Sequence, residues 1–217
     1  MGLLQGANGI ETDVQRTKNG VLVLFHDDTL DRVTDSTGKI SDYTLEELKK
    51  VKVYGCCTTW YYDRIITFRE FLEKFAEYDI NFAIELKVDD TEQDVIDLIN
   101  EFHIKSKTTV TSFGFERLRK VKKIDSTIRV GLLTASNGID RIEELKEING
   151  EEMCPQAEKT TNESVKAVRE AGFGVRAWGI SGYHAYTYMK QMCEYGVDGM
   201  TVNFPDRLKQ YLSSGLI

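Results

Sequence analysis

The sequence predicts an α/β fold of the TIM-type (β/α)₈ barrel, N-terminally truncated by about one βα unit. Three observations lead to this prediction. Short β-rich runs alternate with helical patterns, which is typical of parallel strands joined by helices. About seven such units can be counted, one fewer than a closed barrel needs. The 217 residues, 41% of them hydrophobic, suffice for one core and lie near the lower end of barrel lengths. No break in composition divides the chain, so we expect a single domain over residues 1–217.

The predicted strands are short runs rich in β-branched and aromatic residues, bounded by turn residues. The weakest pattern is the fifth. In chain order, the strands are predicted at residues 9–15, 82–87, 108–112, 128–133, 152–156, 174–180 and 199–203.

The helices are predicted from apolar residues that recur every three or four positions. Their ends carry signals: Thr67 with Glu70 fits a capping box, Asn162 fits an N-cap, and Pro205 suits a first turn. Gly172 and Gly196 fit positions just after a helix, where a positive φ is needed. The helical patterns cover residues 67–78, 91–103, 115–124, 139–148, 162–171, 183–195 and 205–212.

An insertion of about fifty residues, 17–66, separates the first strand from its helix. It opens with a hairpin whose arms, 13–17 and 21–25, flank Lys18-Asn19-Gly20, because Asn-Gly supplies the positive φ angles of a tight turn. A short helix at 44–51 begins with Thr44 and Glu47, another capping box. An insertion at the carboxyl end of a barrel strand is placed to build a substrate mouth.

Charge and composition exclude several classes of protein. The net charge is −7 and there is no dense Lys/Arg tract, so nucleic-acid binding is not expected. No run of 18 apolar residues is present, and the first ten residues lack the pattern of a signal peptide, so the chain as given is expected to be cytoplasmic. Secretion stays open if the true N-terminus lies upstream. The four cysteines form no CxxC pair, which favours free buried thiols over zinc or disulfides.

Two charged pairs occupy neighbouring barrel strands. Glu11 and Asp13 stand at i and i+2, and Glu85 and Lys87 repeat that spacing, so each pair projects from one face of its strand. Charges inside a barrel are costly unless they are paired or bound to metal. Three converging carboxylates make an oxygen-rich site suited to Mg²⁺ or Ca²⁺. The alternative is an internal ion pair of Lys87 with Glu85 or Asp13 that needs no metal.

Two further residues are candidates for the site. His26 follows the second arm of the hairpin and precedes two acidic residues, which suits a general acid/base. The hairpin arm before His26 is expected to pair with the strand that carries Glu11 and Asp13. This pairing would bring His26 to the same substrate mouth of the barrel. Trp178, near the end of the 174–180 strand, is either a core or rim aromatic or an apolar platform for a small polyol. The insertion also carries an aromatic cluster, for which lid packing is the expected role: Tyr54, Trp60, Tyr61 and Tyr62.

These residues resemble the glycerophosphodiester phosphodiesterase family. Residues 6–15, GANGIETDVQ, are similar to its GADGIELDVQ strand, and residues 17–32 to its TKDG…VVFHDDTLDR segment. The insertion matches its TGK and LxEL elements, and residues 83–87, AIELK, look like IEIK. Residues 175–178, VRAW, are similar to VxxWTV, and residues 196–206 resemble GVDGIxTDxPD. The resemblance follows almost the whole chain in order.

The resemblance implies an enzyme that hydrolyses glycerophosphodiesters to glycerol 3-phosphate and an alcohol. Glu11, Asp13 and Glu85 would be metal ligands, and His26 would be one of two acid/base histidines. Lys87 would contact the phosphate or the metal ligands. Trp178 would line the glycerol pocket.

Two segments of the family pattern, an HRG strand and an ENT helix, are absent from the sequence. HRG would contribute the other histidine. A misassigned start, a genuine shortening and gene decay are three explanations, of which we favour the first. The chain as given is expected to be impaired in catalysis, and a barrel lacking one strand exposes edges through which a homo-oligomer could form. A non-catalytic relative that binds metal, phosphodiester or another protein is the alternative. A phospholipase-like barrel such as sphingomyelinase D is a third, which the TGK-containing insertion disfavours.

Overall fold

A computed structural model describes the backbone of residues 2–55 and 58–214 and the side chains of these residues except 55 and 58–62. The predicted strands and helices occur in the predicted order. The strands are β1 (Gly9–Arg16), β2 (Leu22–Leu24), β3 (Val53–Gly55), β4 (Thr58–Asp63), β5 (Asn81–Leu86), β6 (Thr108–Ser112), β7 (Arg129–Thr134), β8 (Glu152–Pro155), β9 (Gly174–Ile180) and β10 (Gly199–Val202). The helices are α1 (Leu45–Leu48), α2 (Phe68–Phe75), α3 (Glu92–Glu101), α4 (Phe115–Ile124), α5 (Ile142–Glu147), α6 (Asn162–Glu170), α7 (Ala185–Tyr195) and α8 (Pro205–Ser213).

The chain folds into two compact units. The hairpin unit comprises residues 12–79 and 84–108, and the five-strand unit comprises residues 1–11, 80–83 and 109–217. The division falls inside β1 and β5, so each of these strands contributes residues to both units.

The five-strand unit is built on parallel strands in the order β6-β7-β8-β9-β10. Helices connect each strand to the next, as the alternating pattern predicts. Three residues of α7 contribute to a buried apolar cluster, which comprises Ala157, Ala177, Ile180, Ala185, Met189 and Met192.

The hairpin unit contains β2 and the later residues of β1 and β5, in the sheet order β5-β1-β2. Strands β1 and β2 pair antiparallel, with Val14 opposite Leu24 and Arg16 opposite Leu22, which confirms the predicted hairpin. Gly20 has a φ of 87°, whereas Asn19 stays outside the positive region. The side-chain oxygen of Asn19 instead accepts a hydrogen bond of 3.0 Å from the backbone N–H of Leu45, at the start of α1.

The insertion has a hydrophobic core of its own. Seven buried side chains form it: Val23, Phe25, Leu30, Ile40, Leu48, Val51 and Ile65. Burial of this set orders a long excursion that otherwise has little regular structure. The hydrophobic core of the insertion therefore supports the end of β2 and the chain that leads to His26.

Most predicted helix ends are confirmed. Thr44 and Thr67 form capping boxes with Glu47 and Glu70. The prediction that Asn162 caps α6 is wrong, because the cap is Thr161, whose hydroxyl accepts from the backbone N–H of Ser164. Threonine and asparagine oxygens can both accept at an N-cap, so either neighbour fitted the pattern.

The insertion also contains the antiparallel pair β3–β4, which the sequence patterns did not predict. The expected lid packing of Trp60, Tyr61 and Tyr62 concerns side chains outside the described part, and Cys56 and Cys57 lie outside it entirely. The other two cysteines, Cys154 and Cys193, are thiols outside any disulfide, and Cys154 is buried.

Candidate active site

Strand β1 presents two carboxylates on one face. Glu11 and Asp13 are two residues apart on this strand, so their side chains point to the same side. Glu11 is exposed and is the last residue of the first segment of the five-strand unit. Asp13 is half-buried and belongs to the hairpin unit. The predicted pairing of these groups on one strand face is therefore present.

Asp13, Glu85 and Lys87 meet in the hairpin unit. The backbone N–H of Lys87 donates to the carbonyl of Val14 at 3.1 Å, which places the end of β5 beside Asp13. The Lys87 ammonium lies 3.2 Å from Glu85 Oε1 and 3.6 Å from Asp13 Oδ1. Asp13 and Glu85 also offer carboxylate oxygens within 4.8 Å of each other, a spacing that one cation can bridge.

The electrostatics of this cluster follow from its burial. Glu85 is only 8% exposed, and burial raises the pKa of its carboxyl group above the ordinary value against the attraction of Lys87, while Asp13 raises it further. Burial alone would lower the pKa of Lys87, but the attraction of Glu85 and then Asp13 outweighs it, so this pKa is raised. Lys87 is thus held as a cation beside two carboxyl groups.

One oxygen of the cluster is left without a hydrogen bond. Asp13 Oδ1 is buried and has no hydrogen-bond partner among the described residues, since the Lys87 ammonium at 3.6 Å lies beyond bonding distance. Buried polar atoms in native proteins nearly always have a partner, which is often a water molecule or an ion. The donor set is all oxygen, which fits Mg²⁺ or Ca²⁺ better than zinc.

His26 directly follows the segment that pairs with β1. The backbone N–H of Phe25 donates to the carbonyl of Asp13 at 3.1 Å, so His26 is one residue beyond a direct neighbour of Asp13. The imidazole is 70% exposed, and its Nδ1 lies 2.7 Å from Asp27 Oδ1. An accessible ring with one nitrogen engaged can exchange a proton through the other.

Trp178 lies in the five-strand unit near the end of β9. Its indole N–H donates to the carbonyls of Thr134 at 3.1 Å and Cys154 at 3.0 Å. The ring of Phe113 meets the indole edge-on, with centroids 5.2 Å apart. These contacts fix the half-buried indole at the carboxyl ends of β7 and β8, while its role in binding glycerol stays a prediction.

Sequence reasoning missed Arg176, two residues before Trp178 on the same face of β9. Its guanidinium bonds Glu152 Oε2 at 3.0 Å and Thr201 Oγ1 at 2.8 Å. Burial disfavours the charge, but attraction by Cys154, Glu152 and Glu11 raises the pKa of Arg176. An Arg at i−2 from a predicted site residue was the available signal.

Gln15 was also missed. It is 3% exposed, and its side-chain amide donates to the carbonyls of Phe25 at 2.8 Å and Asp27 at 2.6 Å. These bonds fix the backbone on both sides of His26. The available signal was its i+2 spacing from Asp13 on β1, the same spacing that relates Asp13 to Glu11.

None of the helices in the described part of the chain is both long and apolar enough to cross a membrane.

Comparison with known proteins gives two consistent findings. Residues 1–207 match the model of the glycerophosphoryl diester phosphodiesterase family. A glycerophosphodiester phosphodiesterase of Caldanaerobacter subterraneus is 30% identical over 218 aligned positions, which cover 97% of this chain and 88% of that protein.

Solved structures resemble the chain over nearly its whole length. A glycerophosphodiester phosphodiesterase of Agrobacterium tumefaciens superposes with a TM-score of 0.79 at 23% identity, covering 96% of this chain and 89% of that one. An Oleispira antarctica phosphodiesterase in complex with its product sn-glycerol-3-phosphate gives 0.81 at 22% identity, covering 97% and 87%. These likenesses confirm the predicted fold class, an α/β fold of the TIM-barrel type.

Proposed function

The chain belongs to the glycerophosphoryl diester phosphodiesterase family, and we propose that it hydrolyses glycerophosphodiesters with the help of a divalent cation. The products are glycerol 3-phosphate and an alcohol. The observation that carries the proposal is the pair of carboxylates of Asp13 and Glu85, whose oxygens lie within 4.8 Å of each other. The buried Oδ1 of Asp13 also lacks a hydrogen bond among the described residues.

Asp13 and Glu85 would hold Mg²⁺ or Ca²⁺, with Glu11 from the same face of β1 as the third ligand. When bound, such a cation offsets the negative charge of the diester and lowers the pKa of an oxygen nucleophile.

The remaining roles belong to side chains of the chain itself. Lys87 supplies a fixed positive charge next to the carboxylates, which would bind the phosphate oxygens of the substrate. His26 would accept a proton from the attacking oxygen or return one to the leaving alcohol through its Nε2. Trp178 would place an apolar surface against the carbon skeleton of glycerol.

We propose further that these 217 residues by themselves turn over substrate slowly. The sequence contains three histidines, His26, His103 and His184, and none lies in an HRG segment. Loss of one of two acid/base groups lowers the rate by roughly 10²–10⁴-fold. Binding of metal and diester depends on other residues and should survive.

The test is an assay of glycerol 3-phosphate release from glycerophosphocholine with Mg²⁺ or Ca²⁺, and the Caldanaerobacter relative is the reference. We expect slow, metal-dependent release that His26→Gln abolishes. Turnover at the rate of the relative would show that a second histidine is dispensable. Binding of diester without any release favours the second candidate, a non-catalytic relative.

A further inference from the structure

We propose that Asp27, clamped by Arg32, is a positioning residue that fixes the His26 ring for proton transfer through Nε2. This inference rests on the proposed function, because it concerns the group that would move the proton. It goes further in naming residues that do not touch substrate but set the state of one that does.

The contacts form a chain of three side chains. His26 Nδ1 lies 2.7 Å from Asp27 Oδ1. Arg32 donates from Nε to Asp27 Oδ2 at 2.5 Å and from Nη2 to Asp27 Oδ1 at 2.8 Å. A bidentate guanidinium pair fixes the plane of a carboxylate as well as its position. The oxygen that faces His26 is therefore held in one direction.

The same contacts keep Asp27 charged. The hydrogen bonds from Arg32, and more weakly from His26, lower the pKa of Asp27 to about 2 against the effect of partial burial. An ionised carboxylate can only accept, so the neutral imidazole must donate from Nδ1. Its Nε2 then carries the lone pair and can act as a base, and after protonation it can act as an acid.

The backbone around His26 is fixed independently. The amide of Gln15 binds the carbonyls of Phe25 and Asp27, and the Phe25 N–H is bonded to Asp13. Because the imidazole itself is 70% exposed, little packing restrains its side-chain torsions. Asp27 supplies the restraint that packing does not.

The experiment measures the tautomer of His26 by long-range ¹H–¹⁵N correlation of the imidazole rings, with His26→Gln to assign the signal. In the wild-type protein we expect the neutral ring to carry its proton on Nδ1. In Asp27→Asn the proton should move largely to Nε2. Asp28→Asn is the matched control, because Asp28 is exposed and adjacent to Asp27 in sequence. This substitution removes the same charge and should leave the tautomer unchanged.

Kinetics separate positioning from a purely structural role. Asp27→Asn should lower kcat by roughly 10–100-fold, a part of the 10²–10⁴-fold that a positioned general acid/base contributes, with little change in KM. Arg32→Lys cannot form the bidentate pair and should give a smaller loss. An unchanged kcat in a folded Asp27→Asn protein would overturn the proposal.

The spectrum needs no turnover, so it also distinguishes failure of this inference from failure of the proposed function. A wild-type ring protonated on Nε2 overturns the positioning role whether or not the chain is active. If Asp27→Asn does not fold by circular dichroism, Arg32→Gln replaces it with the same spectral readout. A tautomer ratio in that variant identical to the wild type would also overturn the clamp.

Discussion

Glu85 and Lys87 show how single side chains acquire chemistry from burial. Both lie at the end of β5 with little exposure, and each changes the pKa of the other. Their i, i+2 spacing predicted that they share a strand face, and the 3.2 Å contact confirms it. The same spacing put Glu11 beside Asp13. Alternation along a strand is a local property, so the sequence is sufficient to reveal it.

Contacts that depend on hairpin closure could not be predicted in this way. Gln15 reaches Phe25 and Asp27 only because the β1–β2 register brings them together. Arg32 reaches Asp27 across a turn whose course depends on the core of the insertion. The structure shows where His26 and Trp178 lie, while their roles in proton transfer and in glycerol binding stay predictions.

The pH dependence of stability should reveal the Asp27–Arg32 pair. An aspartate in the unfolded chain titrates near about 3.9, and in the folded chain Arg32 lowers the pKa of Asp27 to about 2. Folding therefore favours the ionised form, and this contribution is full above about pH 5 and is lost as the pH falls toward 2. For a partly exposed pair we expect at most about 1 kcal/mol.

Urea unfolding of the wild type and Asp27→Asn between pH 7 and pH 2.5 measures this contribution. The difference in unfolding free energy should be constant near neutrality and shrink below about pH 4. Asp28→Asn provides the comparison. A difference that does not vary with pH would mean that the Asp27 charge contributes nothing to stability.

At the scale of elements, the positions of all seven predicted barrel strands were recovered within about two residues, because β-rich runs and turn residues mark them. The β3–β4 pair was missed. Both strands, Val53-Tyr54 and Thr58 to Asp63, are rich in β-forming residues. Their aromatic residues are also typical of a lid, which is the role that was predicted for them. Whether a short segment forms a strand depends more on the strand it pairs with than on its own β-propensity.

The cap of α2 gives a prediction at this scale. The Thr67 hydroxyl accepts from the Glu70 N–H at 3.0 Å, and the Glu70 carboxylate accepts from the Thr67 N–H at 2.7 Å. Thr67→Ala should lower the unfolding free energy by about 1 kcal/mol, because it removes the hydroxyl that accepts from the backbone N–H of Glu70. Thr67→Ser, which keeps the hydroxyl, should retain most of the stability in denaturant titrations. Equal losses in both variants would assign the effect to the methyl group.

At the scale of the whole molecule, periodicity was enough to predict the fold class, since every strand–helix unit repeats the same pattern. The two compact units were not visible in the sequence, because their division falls within β1 and β5, where composition does not change. The single domain and the homo-oligomer stay predictions.

Metal binding should stabilise the whole chain. A ligand at 100 times its Kd that binds only the folded state adds about 2.7 kcal/mol. For a chain of this size, that corresponds to a rise in Tm of roughly 5–10 °C. We expect such a rise with Mg²⁺ or Ca²⁺ in thermal melts of the wild type.

Glu85→Gln should remove most of this shift, because it deletes a buried ligand without changing size. Glu77→Gln, at an exposed carboxylate, should leave it intact. An equal shift in both variants would mean that the ions act on the surface, and that the cluster is the internal ion pair with Lys87.

Lys87 has one more consequence, for how the protein is handled. An ammonium group already stands against Asp13 and Glu85, so the carboxylates have a resident counter-ion that no chelator can extract. A chain built this way should remain folded in EDTA, unlike small zinc domains that unfold when stripped of metal. Its loading with Mg²⁺ or Ca²⁺ can then be reversible. Dialysis alone should convert the same preparation between a metal-free, inactive form and a metal-bound, active form.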